Sequence, residues 1–184
     1  MKKIIIFCLA VILLVLSSGC TQSRMINIEG ETIVLGKDKL SSLEEKGYTL
    51  TVKEGTLDDK LNGSLYIANN RIMVSRNGNA VFYCGIVNTN RYAVDSKLYR
   101  DCEISGVYLD NLSDDQEMIL KNENIISPKT LEDCRTIFGK KPAYKEMEFS
   151  DWIEVTWKYD GFRYHLEYAK DNVLRYASVK LDFS

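Results

Sequence analysis

Trp152-Ile153-Glu154-Val155-Thr156-Trp157-Lys158-Tyr159-Asp160-Gly161-Phe162-Arg163-Tyr164-His165-Leu166-Glu167-Tyr168-Ala169 places an Asp-Gly pair between two runs that alternate apolar and polar. Asp-Gly tolerates the positive φ angles of a two-residue hairpin turn, and a two-residue turn fixes the register of its strands. Tyr159 should then oppose Phe162, Trp157 oppose Tyr164, Val155 oppose Leu166 and Ile153 oppose Tyr168. Those residues make one apolar face, which Ala177, Val179, Leu181 and Phe183 continue on the last strand. The other face carries Lys158 against Arg163, Thr156 against His165 and Glu154 against Glu167, with Trp152 sharing their parity. Two of these pairs set like charges directly across strands, which costs stability unless something neutralises them. Arg175 on the third strand is one candidate for that role and a charged partner is another; a solvated face with flexible side chains fits as well. Trp152, Glu154, Thr156, Lys158, Arg163, His165 and Glu167 therefore form the candidate interaction face. Trp152 serves either as an anchor on that face or as a core residue folded over the sheet edge.

Upstream, strand-forming sequence covers residues 48–53, 64–68, 71–76, 80–88 and 98–109, with Asn69-Asn70 and Asn77-Gly78 as turns. Two short helices interrupt the strands. In the first, Asp38 is placed to cap, Leu40 and Leu43 share a face, and Gly47 offers a left-handed exit. In the second, Pro128 suits a first turn or Thr130 caps with Asp133, and Leu131, Cys134, Ile137 and Phe138 form an apolar stripe that ends at Gly139. Helices this short need a sheet to dock on. The expected fold is α+β: two short helices each packed on antiparallel β-sheet, in two tandem units at residues 28–111 and 112–184, with the polar stretch 112–117 as the seam. A single sheet with both helices on one face fits the same pattern.

The start of the chain has a different character. Lys2 and Lys3 precede an apolar run at residues 4–16, and Leu16-Ser17-Ser18-Gly19-Cys20 follows. As a helix the run reaches only about 20 Å, short of a hydrocarbon core of roughly 30 Å. It reads as an export leader at residues 1–19. The small residues before Cys20 resemble the lipobox of bacterial lipoproteins, although Ser17 stands where Leu is usual. That resemblance implies a diacylglyceryl group on Cys20, removal of the leader, and anchoring on the extracytoplasmic face of the cell membrane, since two acyl chains hold stably where one does not. Residues 20–27 are the expected tether, with a reach of roughly 20–30 Å.

Without its leader the chain keeps about 165 residues, and because the leader holds Lys2 and Lys3 but no acid, the formal charge of −2 becomes −4. Its cations are scattered, which disfavours a nucleic-acid partner. After Cys20, the cysteines Cys84, Cys102 and Cys134 remain. Export permits a Cys84–Cys102 bridge, and three buried free thiols are the other reading.

The short helix followed by Phe138-Gly139-Lys140-Lys141-Pro142 and a three-stranded meander is similar to repeats in the β-lactamase-inhibitor-protein-like lipoproteins and the small outer-membrane-assembly lipoproteins of the SmpA/OmlA type. Val34-Leu35-Gly36-Lys37 and Lys46-Gly47-Tyr48 resemble the first half of the same pattern. The family has Gly-x-Pro after the helix, whereas two lysines separate Gly139 from Pro142 here. The resemblance implies non-catalytic protein binding or envelope assembly.

Catalytic motifs are absent: no phosphate-binding glycine loop, His-Glu-x-x-His, Cys-x-x-Cys or Gly-x-Ser-x-Gly occurs. His165 is the only histidine. Glu154, Glu167 and His165 would lie on a flat sheet, a poor setting for a zinc site that needs three or four ordered ligands. No cofactor or metal is implied. The leading expectation is a lipid-anchored, non-catalytic binding module with a protein partner in the envelope. The alternatives are an inhibitor or ligand-sequestering module acting on a secreted protein, and a small extracellular hydrolase using paired carboxylates.

Overall fold

A computed structural model describes residues 24–110, 112 and 116–183. The segment expected to be the leader, the expected lipid-attachment residue Cys20 and residues 113–115 of the seam lie outside the described residues. In chain order the elements are β1 (Met25–Ile28), β2 (Glu31–Val34), α1 (Ser41–Glu45), β3 (Thr49–Val52), β4 (Lys60–Leu61), β5 (Tyr66–Arg76), β6 (Asn79–Val87), β7 (Lys97–Leu98) and β8 (Glu103–Asp110). There follow β9 (Met118–Leu120), β10 (Glu123–Asn124), α2 (Leu131–Phe138), β11 (Lys145–Glu148), β12 (Trp152–Tyr159), β13 (Phe162–Ala169) and β14 (Leu174–Leu181). β1 thus begins inside the segment read as tether.

The Asp160-Gly161 hairpin forms with the register its turn dictates, from Trp152 opposite Ala169 to Tyr159 opposite Phe162. Asp160 and Gly161 both have positive φ, 52° and 79°, as do Asn77 and Gly78 in the turn between β5 and β6. Asn69-Asn70 is not a turn. β5 runs through it, and its register on β6 shifts between Ile67 and Ile72. Nor does Asp38 cap α1: its carboxylate accepts from the Val34 backbone N–H at 2.8 Å instead. Thr130 does cap α2, its hydroxyl oxygen accepting from the Asp133 N–H at 3.2 Å.

The α+β expectation of two helix-plus-sheet units is corrected. The fold is mostly β, with only two α-helices among the described residues, one of five residues and one of eight. Its main element is an eight-stranded antiparallel sheet in the order β11-β12-β13-β14-β8-β6-β5-β3. β14 pairs with β8 and β9 pairs with β1, so strands before and after the seam interlock in both the large sheet and a four-stranded one, β10-β9-β1-β2. The physical reason is area. Trp157, Tyr164, Val179, Val107, Cys84, Ile72 and Val52 form one cross-strand row spanning seven strands, and helices of five and eight residues cannot cover it. Ile26, Ile28, Ile33, Met118 and Leu120 of the small sheet join Leu43 and Phe138 in the same buried cluster as that row. α2 contributes Phe138, whose ring stacks on Trp157 at 4.6 Å.

Candidate functional site

Alternation sends every second residue of the large sheet to the opposite face. There a row runs Lys145, Thr156, His165, Ser178, Tyr108, Tyr83, Met73, Thr51 across all eight strands. On one side of it lie Lys158, Arg163, Lys180, Gly106 and Gly85, and on the other Met147, Glu154, Glu167, Tyr176 and Asp110. The face is not flat, contrary to the expectation from sequence. Glu154, Thr156, Lys158, Arg163 and His165 line a hollow of about 410 Å³ together with Lys145, Met147 and Lys180. A second hollow of about 180 Å³ shares Arg163 and Lys180 and adds Tyr66, Ser105, Tyr108, Asp182 and Phe183. Glu167 flanks the larger hollow through His165. Trp152 stands apart at the sheet end, 38% exposed and stacked on Phe149 at 4.8 Å.

Beside Lys180, the Gly85–Gly106 pair lets neighbouring groups approach the sheet closely. A Cβ at Gly85 would lie 2.9 Å from Tyr108 Oη and 3.1 Å from the Ile67 carbonyl oxygen, and one at Gly106 would lie 2.7 Å from Lys180 Cβ. Glycine in a strand interior marks a close approach of this kind.

The Lys158–Arg163 like-charge pair is compensated within the chain. Asp182 takes Lys158 Nζ on one oxygen at 2.8 Å and Arg163 Nη2 on the other at 3.0 Å. Its own N–H donates to the Gly161 carbonyl at 2.9 Å, which fixes the carboxylate beside the turn. Between the glutamates, His165 Nε2 is buried 3.2 Å from Glu167 Oε1 and 3.6 Å from Glu154 Oε2, without a hydrogen bond of good geometry to either. The Tyr176 ring meets the imidazole edge-on at 5.1 Å. Arg175, the compensating residue considered from sequence, lies instead 4.0 Å from Asp171.

Sequence reasoning missed Lys145, Met147, Lys180, Asp182, Tyr108 and the glycine pair. The parity of β14 would have exposed Lys180, and mid-strand Gly85 and Gly106 were a second signal. Asp182 follows the last strand, where alternation no longer applies. Elsewhere a second charged cluster stands at the helix: Arg135 makes a two-pronged contact with Glu146, with Nη2 at 2.8 Å, and Tyr144 Oη donates to the same carboxylate at 2.7 Å. The arginine holds the Glu146 carboxyl below its ordinary value against a smaller opposing effect of burial.

The hollow offers charged donors and acceptors on a preformed surface, suited to holding a polar ligand. Cys84, Cys102 and Cys134 are buried free thiols, and burial raises the pKa of each. Thiolate nucleophiles are thereby disfavoured. Among the described residues no set of three His, Cys, Asp or Glu side chains has the arrangement of a metal site. No family model, curated protein or solved structure matches this chain.

Proposed function

We propose that this chain is an exported lipoprotein, held by acyl chains on Cys20, whose sheet module binds a protein of the cell envelope without catalysis. The binding surface is the hollow face of β11–β14. The observation that carries this reading is the convergence of Glu154, Thr156, Lys158, Arg163 and His165 on one solvent-facing concavity. Lys158, Arg163 and Lys180 lie on one side of it and Glu154 on the other, and Asp182 holds Lys158 and Arg163 in place, so a partner meets a partly preorganised charge pattern. The leader and the small residues before Cys20 support the location.

A photo-crosslinking residue at position 156 of the full chain, on intact cells, tests it. A discrete protein adduct is expected at 156, absent when the same group replaces exposed Glu45 on α1, and lost on Arg163→Glu. Equal adduct patterns at both positions would remove the hollow from consideration. Cys20→Ala should release the protein from the membrane fraction. Turnover of a substrate by the purified protein, abolished by Glu154→Gln, would favour the hydrolase instead.

A further inference from the structure

The two ends of the large sheet differ in what they expose, and only one lies beside the tether. The Arg24 carbonyl accepts from the Leu35 N–H at 3.0 Å, and the next N–H, Gly36, donates to Ile104 at the start of β8. At this end of the sheet Glu103 pairs with Val87, and Val87 pairs with Tyr66. The Tyr66 ring stacks on Phe183 at 5.3 Å. The loop after β6 packs against the same corner: Asn88 Nδ2 donates to the carbonyls of Leu61 and Asp95 at 2.8 and 2.7 Å, and Ser64 Oγ donates to that of Asn90 at 3.1 Å. The loop tip therefore stands fixed while presenting Arg91-Tyr92-Ala93-Val94. Val94 is 88% exposed and Tyr92 68%, and Leu65, Tyr66 and Phe183 are each half exposed.

Scattered exposed apolar side chains need no explanation, but five gathered at one corner do. Cys20 precedes Arg24 by four residues, a span of at most about 14 Å. If Cys20 carries the anchor, as proposed above, this corner cannot stand far from the headgroups. Tyrosine with an adjacent arginine is the composition that membrane–water interfaces favour. The opposite end also exposes aromatics, Phe149 and Trp152. It lies roughly 25 Å from this corner along eight-residue strands, beyond the span of about 14 Å that four residues allow.

We propose that the corner formed by Tyr92, Val94, Leu65 and the Tyr66–Phe183 pair is a second membrane contact, which seats in the headgroup layer and fixes the module's orientation on the bilayer. The acyl chains hold the protein to the membrane; this corner decides which way the hollow face points.

The test uses the mature chain purified from membranes and reconstituted in vesicles of phosphatidylethanolamine and phosphatidylglycerol. An environment-sensitive fluorophore is placed on Val94→Cys or, as the control, on Met147→Cys at the far end. Nitroxide-bearing lipids should quench the label at 94 several-fold more than the label at 147. Equal quenching, with fatty acid present on Cys20 by mass spectrometry, overturns the contact and leaves the anchor standing. A label at 94 that is shielded from water yet unquenched by nitroxide lipids marks a protein partner there and also overturns it. Absence of fatty acid on Cys20 refutes the anchor, and the contact falls with it.

Discussion

Trp157 and Tyr164 face one another across β12 and β13 as a parallel stack, ring centroids 4.8 Å apart and planes 3° from parallel. Phe138 of α2 covers the same indole from the helix side, so one aromatic column joins the helix to the centre of the β12–β13 hairpin. Trp157→Ala should cost about 3–5 kcal/mol, and Phe138→Ala a similar amount. Their double variant should lose less than the sum, because the second truncation enlarges a void already made. Lys158→Ala, on the opposite face, should cost under about 1 kcal/mol. Urea unfolding of the four variants and the wild type measures these differences, and a Lys158 effect larger than that of Trp157 would invert the assignment of faces.

The hairpin was readable because two signals agreed: Asp160-Gly161 set the register, and alternation set the faces. The candidate face followed from the same two signals, which is why five of its seven residues share a hollow. The fold class was misread for an equally physical reason. β1, β9 and β10 have two to four residues each, too few for a periodic pattern to stand out. Of the two helices only α2 has a side-chain cap, Thr130, and at five and eight residues they leave most of the chain to strands. Pairing between distant strands, such as β14 with β8, leaves no local trace in the chain. Gly85 and Gly106 likewise sit opposite each other only once β6 and β8 have paired.

The Gly85–Gly106 pair has a measurable cost of replacement. Gly106→Ala puts a Cβ 2.7 Å from the Lys180 Cβ and 3.0 Å from the Val179 carbonyl oxygen, neither of which can swing away. β8 and β14 must separate, at a cost of about 1–3 kcal/mol. Thermal unfolding should show the loss, and capture at position 156 should weaken as the neighbouring hollow deforms. Gly78→Ala, at a turn with open space around it, should cost less despite its positive φ of 81°.

Glu103 opens β8 with its carboxylate 2.6 Å from Lys97 Nζ and accepting from the Thr89 N–H at 3.3 Å. Burial works to raise its pKa, but the hydrogen bond from Lys97, backbone donors and the lysine's charge together bring it below the ordinary 4.5. A folded-state pKa depressed in this way adds stability above the unfolded value and loses it as pH falls through the folded one. Glu103→Gln should therefore cost about 1–3 kcal/mol near neutrality. The gap between wild type and variant should narrow only as pH drops below 4.5. A gap that stays constant into strong acid would mean that the ion pair contributes nothing. Glu31, lowered first by its hydrogen bond from Lys46, should lose stability over the same acid range.

Three thiols buried without a bridge give a simple count. In the folded protein Cys84, Cys102 and Cys134 should react slowly with Ellman's reagent, because burial disfavours the thiolate and pushes Cys102 up to about 11. In denaturant all three should titrate at once. Recovery of a single thiol would restore the Cys84–Cys102 bridge.

Asp182 gives the sharpest test of the candidate face. Lys158 and Arg163 sit directly across from one another, and both lean on this one carboxylate. Removing the lysine from the wild type forfeits a partly exposed ion pair and should be mildly destabilising. In an Asp182→Asn background the same truncation relieves a like-charge cross-strand pair that has lost its shared counter-charge, so Lys158→Ala should there be neutral or stabilising. The sign change is the observable, read from urea midpoints of the four proteins at low salt. Added salt should shrink it, because the residual repulsion is between partly solvated charges. Equal effects of Lys158→Ala in both backgrounds would show that the two cations do not interact through Asp182. The charge pattern of the face would then be a set of independent side chains and not a coupled surface.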